Sequence, residues 1–249
     1  YNMIINLWLL LICLILHIIL YKFKSFIFGK KFLDIPNSKR KIHKTPTYLI
    51  GGYFIFFSYA LFLIFSNDIS PEQKIVNLIF YLIIFFIGII DDLNDIKPTT
   101  KLISILIIYL ILTSYNETFL LRNIYFETFE KNISFGMYSY FISSLCVLLL
   151  INSINLIDGI NGLAMMIFII WLGFLNYFLG INFNIFQLIF YLFVFFNIYK
   201  GSYFLGNSGS LIIGAIVSFS CIRYYILNFV EKNSAEDIFI LFLIPGIDM

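Results

Sequence analysis

Ile75-Val-Asn-Leu-Ile-Phe-Tyr-Leu-Ile-Ile-Phe-Phe-Ile-Gly-Ile-Ile90 runs straight into Asp91-Asp92-Leu93-Asn94-Asp95. The apolar run approaches the roughly 20 residues that a helix needs to cross a bilayer core. It then stops on three carboxylates, groups that cost free energy wherever an apolar span meets lipid. Runs of this kind recur along the chain. Spans are expected near 3–21, 47–66, 75–90, 102–115, 137–157, 162–179, 184–199 and 210–229, with a ninth, 238–247, cut short by the end of the sequence. The composition agrees. Of 249 residues, 61% are hydrophobic and 12% charged, and the mean hydropathy is +0.96. A soluble domain is nearer 45–50% apolar and about 25% charged, so a water-soluble globule is excluded, and the apolar content excludes disorder. The expected class is an all-α polytopic membrane protein, one transmembrane domain over 1–249 with about eight full helices and a truncated ninth.

Charge placement predicts the topology. Lys22, Lys24, Lys30, Lys31, Lys39, Arg40, Lys41 and Lys44 concentrate in 22–46, half of the sixteen basic residues. With that segment cytoplasmic, the N-terminus lies outside and the connections 91–101, 158–161 and 200–209 face the cytoplasm. The segment 22–46 is also expected to attract anionic lipid. The one long outer connection, 116–136, permits a small hairpin through its spaced aromatics. Cys13, Cys146 and Cys221 lie singly in apolar runs and read as packing residues, and mid-span His17 reads the same way.

Polar strings collect on the predicted cytoplasmic side. If the helix continues past Asp91 and Asp92, Asp95 joins them on one face, and such carboxylates repel unless they share a cation or a proton. In Asn152-Ser-Ile-Asn155-Leu-Ile-Asp158-Gly159-Ile-Asn161-Gly162, the polar residues recur every third position on the last turns of an apolar helix. Unpaired amides in hydrocarbon cost of order 2–7 kcal/mol, so this stripe must meet another helix, water or ligand. Gly206-Asn207-Ser208-Gly209-Ser210 precedes a span, where free N–H groups in a loop can cradle a phosphate; Ser210 equally suits an N-cap. Pro245-Gly-Ile-Asp248 brings a further carboxylate, and Arg40, Lys41 and His43 suit phosphate. Carboxylates, amides and basic groups on one membrane face together describe a site for a nucleotide diphosphate with Mg²⁺, which takes one or two carboxylates plus phosphate oxygens.

These motifs resemble the polyprenyl-phosphate N-acetylhexosamine-1-phosphate transferases, bacterial inner-membrane enzymes, over about residues 34–248. Asp34-Ile-Pro36-Asn37 through Arg40-Lys41-Ile-His43 to Gly51-Gly52 is similar to the family's first cytoplasmic motif, in a form closer to the branch using UDP-N-acetylglucosamine. Asp91-Asp92, Asn152 to Gly162, Gly206 to Gly209 and Pro245 to Asp248 match later motifs in order. The resemblance implies transfer of a sugar-1-phosphate from a UDP-N-acetylhexosamine to undecaprenyl phosphate with release of UMP, as the first membrane step of cell-surface glycan synthesis. It implies Mg²⁺, with Mn²⁺ as a substitute, and no nucleic-acid partner; a homodimer is compatible with it. It assigns Asp91, Asp92 and Asp158 to catalysis and Asp92, Asp158 and Asn207 to the metal. Arg40, Lys41, His43, Asn152, Asn155, Asn161, Gly206, Ser208, Gly209 and Asp248 fall to substrate.

Three departures accompany the match. Asn207 and Asn161 stand where the family usually carries Asp, and the His-rich loop expected after Asp248 is absent, so the chain is expected to be incomplete beyond Met249. A catalytically inactive relative that still binds polyprenyl phosphate or nucleotide is the alternative. An ion-coupled transporter fits poorly, because transporters place polar groups near the midplane in paired repeats.

Overall fold

A computed structural model describes residues 2–36, 45–66, 69–158, 163–179, 203–227 and 235–236. It shows an all-α polytopic membrane protein. Seven helices are described: α1 (Asn2–Phe28), α2 (Gly51–Phe65), α3 (Pro71–Asn94), α4 (Pro98–Tyr115), α5 (Ser139–Ile157), α6 (Leu163–Leu179) and α7 (Gly206–Leu227). Among the described residues, four segments are long and apolar enough to cross a bilayer: Leu7–Phe32, Pro71–Asn94, Pro98–Tyr115 and Gly136–Ile157. The expected spans 184–199 and 238–247 lie outside the described residues.

Helix ends follow local chemistry and shift several predicted bounds. α3 begins before Ile75 because Ser70 caps it, accepting the Gln73 N–H, with Pro71 in the first turn. α4 likewise starts on Pro98. α1 runs on to Phe28, through Lys22 and Lys24, which therefore lie on a helix and not in a loop. The predicted span 47–66 loses its first residues to a strand.

The strands β1 (Leu33–Asp34), β2 (Thr47–Leu49) and β5 (Tyr203–Phe204) form a small sheet at one end of the bundle. β1 pairs antiparallel with β2, Asp34 opposite Thr47, and β2 pairs parallel with β5, Leu49 opposite Phe204. At the opposite end, β3 (Asn123–Phe126) and β4 (Lys131–Ser134) make the expected hairpin. It is tied to α7 and the segment after it: the Tyr125 N–H donates to the Tyr225 hydroxyl, and the Glu127 and Thr128 N–H groups donate to the Glu236 carboxylate at 3.0 and 3.1 Å.

α7 is the axis of the bundle. Its residues from Ser208 to Val217 are buried all round, as a helix enclosed by other helices must be. Small residues let neighbours approach. A Cβ on Gly214 would stand 2.7 Å from the Ile151 Cα of α5, and one on Gly88 of α3 would stand 2.3 Å from the Ser208 Cα. Near the hairpin, the Phe219 ring meets Phe80, Tyr109 and Phe119 with centroids 4.5, 5.9 and 5.2 Å away. Of the isolated residues, Cys13 and Cys221 are buried and unpaired. His17 packs edge-on against Phe54 and lies 3.1 Å from the Tyr203 hydroxyl, a packed and hydrogen-bonded residue as expected.

Candidate active site

The two adjacent aspartates at the end of α3 point about 100° apart around the helix, and they do different things. Asp91 is 4% exposed. One carboxylate oxygen accepts the Lys101 ammonium at 2.9 Å and the other accepts the Ile96 N–H at 2.9 Å. The group thereby closes the turn between α3 and α4. Asp95 donates its N–H to the Asp91 carbonyl and leaves the helix at φ 46°, with its side chain exposed. The three-carboxylate face expected from a continued helix is therefore not formed: the turn carries Asp95 away and Lys101 neutralises Asp91. Lys101 is a partner that sequence reasoning left unassigned; its signal was a basic residue one turn into the helix that Pro98 starts.

Asp92 faces the other way, onto α7. Its carboxylate accepts the Asn207 N–H at 2.7 Å and the Ser208 N–H at 3.1 Å. These are orphan donors of a helix first turn, where the macrodipole favours an anion. The string Gly206–Ser210 is thus the opening turn of α7, not a loop before it, and two of its N–H groups hold an internal carboxylate. Gly206 makes this approach practicable. It sits at φ +75°, and a Cβ there would lie 2.9 Å from an Asp92 carboxylate oxygen. Gly52 at the start of α2 serves the same turn from the other side: its N–H donates to the Leu205 carbonyl, and a Cβ would meet the Ser208 Oγ at 2.3 Å. Gly209 faces the Gly52 Cα, with Leu205 against its open side.

The stripe on α5 meets this turn. The Ser210 hydroxyl donates to the Asn155 amide oxygen at 2.8 Å, so Asn155 makes a helix-to-helix bond. Asn152 is half-buried and has no hydrogen-bond partner among the described residues. Asp158 ends α5, its N–H bonded to the Ile154 carbonyl. Its half-buried carboxyl has no hydrogen-bond donor or cation against it among the described residues. Burial pushes that carboxyl well above the usual carboxylate range, and the Asp92 charge pushes it the same way. The two acids, 66 positions apart in sequence, therefore lie near enough for one charge to act on the other. Tyr53, beside Gly52, also lies within reach of the Asp92 charge, its ring against Phe85 at 4.9 Å.

All these donors are oxygens, which suits a hard divalent cation. Among the described residues no three His, Cys, Asp or Glu side chains cluster as a metal site. Two carboxylates are nevertheless what Mg²⁺ takes when phosphate oxygens complete its shell. The uncompensated Asp158 and its proximity to Asp92 fit that role. Arg40, Lys41, His43, Asn161 and Asp248 lie outside the described residues. The pairing of β1 with β2, and of β2 with β5, brings both borders of the basic segment to the sheet that leads into Gly206.

Comparison with known proteins points the same way. The model of the family described as glycosyl transferase family 4 matches residues 75–225. A phospho-N-acetylmuramoyl-pentapeptide-transferase of Petrotoga mobilis is 32% identical over 215 residues, covering 77% of this chain and 63% of the relative. The enzyme of that name from Clostridium perfringens is 27% identical over 199 residues, 74% of this chain and 62% of its own. A Sulfolobus acidocaldarius protein named as a putative UDP-N-acetylglucosamine–dolichyl-phosphate N-acetylglucosaminephosphotransferase is 26% identical over 195 residues, 71% and 58% of the respective chains. The chain thus spans somewhat under two thirds of these relatives. With the family match covering α3 to α7 and the paired aspartates seated on the α7 turn, the chain belongs to glycosyl transferase family 4, the kinship that its motifs suggested.

Proposed function

We propose that the protein transfers an N-acetylhexosamine-1-phosphate from a UDP-sugar to undecaprenyl phosphate, releasing UMP, at the cytoplasmic face of a bacterial inner membrane. The observation that carries this reading is the seating of Asp92 on the α7 first turn at the end of an apolar bundle, with Asp158 within reach of its charge. The names of the relatives support the reaction class, and the lysine-rich segment 22–46 supports the orientation. The form of the 34–52 motif supports UDP-N-acetylglucosamine over the pentapeptide precursor.

In this reaction a lipid phosphate oxygen attacks the β-phosphorus of the sugar nucleotide, the bond from that phosphorus to the bridging oxygen breaks, and UMP leaves. A phosphate monoester is already an anion near neutral pH, so the residues have positioning and charge balance to supply rather than proton abstraction. Asp92 is held rigid by two N–H donors. Asp158 and Asn152 are proposed to offer oxygen and amide groups to substrate, with Asn207 of the α7 first turn, whose N–H Asp92 accepts. Mg²⁺ held by Asp92, Asp158 and Asn207 would supply the charge that two anionic reactants require. Arg40, Lys41 and His43 are proposed to contact phosphate.

The test is incubation of membranes carrying the full protein with labelled UDP-N-acetylglucosamine or UDP-N-acetylmuramoyl-pentapeptide, undecaprenyl phosphate and Mg²⁺. Lipid-linked label with UMP release from the first donor is expected. Label from the pentapeptide donor alone would overturn the sugar assignment. Nucleotide binding with no turnover would establish the inactive relative, a reading that the uncharged Asn207 favours.

A further inference from the structure

Helix α1 is longer than a membrane requires. Its 27 residues extend about 40 Å at 1.5 Å per residue, against a hydrocarbon core of about 30 Å. The surplus lies at the active-site end, where Phe28 meets the Tyr53 ring at 4.6 Å. There Phe23, Phe26 and Ile27 share one stripe of the helix and are 48, 89 and 48% exposed. Lys22 and Lys24 fall about 100° to either side of Phe23, one on each flank of the stripe. Lys30 and Lys31 follow at once in an exposed 3₁₀ turn.

Such a pattern suits neither water nor hydrocarbon alone. A bulky apolar stripe open to water is unfavourable, and ammonium groups in lipid tails are costly. Both are satisfied at the boundary, with rings among the upper acyl chains and lysines reaching outward. Three of its four lysines, Lys22, Lys30 and Lys31, make no ion pair among the described residues. We infer that this end of α1 binds anionic phospholipid headgroups in the leaflet that Asp92 faces. The collar continues directly into β1, so bound lipid would also steady the sheet that leads to the α7 turn.

The test is native mass spectrometry of the full protein in mild detergent, supplied with phosphatidylglycerol and phosphatidylcholine of matched chains. The wild-type protein is expected to retain phosphatidylglycerol preferentially. Lys22→Gln with Lys30→Gln and Lys31→Gln should lower that preference by about five-fold for each charge removed. Phe26→Ala should weaken retention of both lipids, and Lys131→Gln, in the hairpin at the opposite end, should change neither. Equal retention of the two lipids by wild type, or an undiminished preference in the triple variant, overturns the inference. So does displacement of phosphatidylglycerol by equimolar undecaprenyl phosphate, which would make the ligand the acceptor lipid. Retention requires no turnover, so failure here and failure of the proposed reaction are separate results.

Discussion

Asp92 on α3 accepts the backbone N–H of Asn207 on α7 at 2.7 Å, across 115 positions of sequence. A carboxylate and a helix first turn thus lock the floor of the site before any ligand arrives. Asp92→Asn keeps the shape but removes the charge and puts an NH₂ where one N–H must be received. Charge-assisted bonds of this kind contribute about 1.5–3 kcal/mol each. The variant is expected to insert in the membrane, lose turnover and melt at lower temperature. UMP release at wild-type rate would remove Asp92 from the reaction.

Lys101 and Asp91 form a buried pair with side chains 10% and 5% exposed. Lys101→Met strands a buried carboxylate, a loss on the order of 3–5 kcal/mol. Combining it with Asp91→Asn should recover most of that stability. Thermal unfolding of the single and double variants in detergent measures it; a double variant no more stable than Lys101→Met would show that the pair does not organise the turn.

Gly88→Ala places a methyl where the Ser208 Cα leaves no room, at 2.3 Å. α3 and α7 must separate, and overpacking of this kind costs about 1–3 kcal/mol. The shift should reach Asp92 one turn later, so activity should fall together with stability. Unchanged activity and unfolding temperature would mean that the helices can part without consequence.

Asn207→Asp adds a formal charge to the turn that Asp92 holds. If the site holds Mg²⁺, metal affinity rises with ligand charge, and the Mg²⁺ concentration for half-maximal turnover should drop by about ten-fold. A titration of activity against Mg²⁺ reads this directly, and no shift would place Asn207 outside the metal's shell.

At the hairpin end, the Thr128 hydroxyl, and after it the N–H donors of Glu127 and Thr128, hold the Glu236 carboxyl down to about 2. Because its folded value lies below the ordinary one, the clamp contributes fully above about pH 4.5 and is lost as pH falls toward 2. The protection factors of the Glu127 and Thr128 amides, referred to intrinsic exchange at each pH, should fall over that interval. In Glu236→Gln the same amides should exchange faster at neutral pH.

The helical class was legible because hydrocarbon imposes a simple demand. Every backbone group must be satisfied within the segment, so long apolar runs announce themselves without reference to their neighbours. The polar strings were legible for the complementary reason: Asp91, Asp92, Asn155 and Asp158 sit where apolar runs end, and the first three have partners there. Boundaries were less legible where capping decided them, as at Ser70. The partition of labour between Asp91 and Asp92 was invisible, since adjacent identical residues differ only in the direction each points.

Sequence alone determined that this chain lies in a membrane as helices and that its acids and amides gather at their ends, because solvation energy is set residue by residue. Tertiary structure alone decided that Lys101 silences Asp91, that Asp92 seats the first turn of α7, and that no cation among the described residues compensates Asp158. Those outcomes depend on how closely glycine-lined helices approach, and that distance is a property of pairs of segments far apart along the chain.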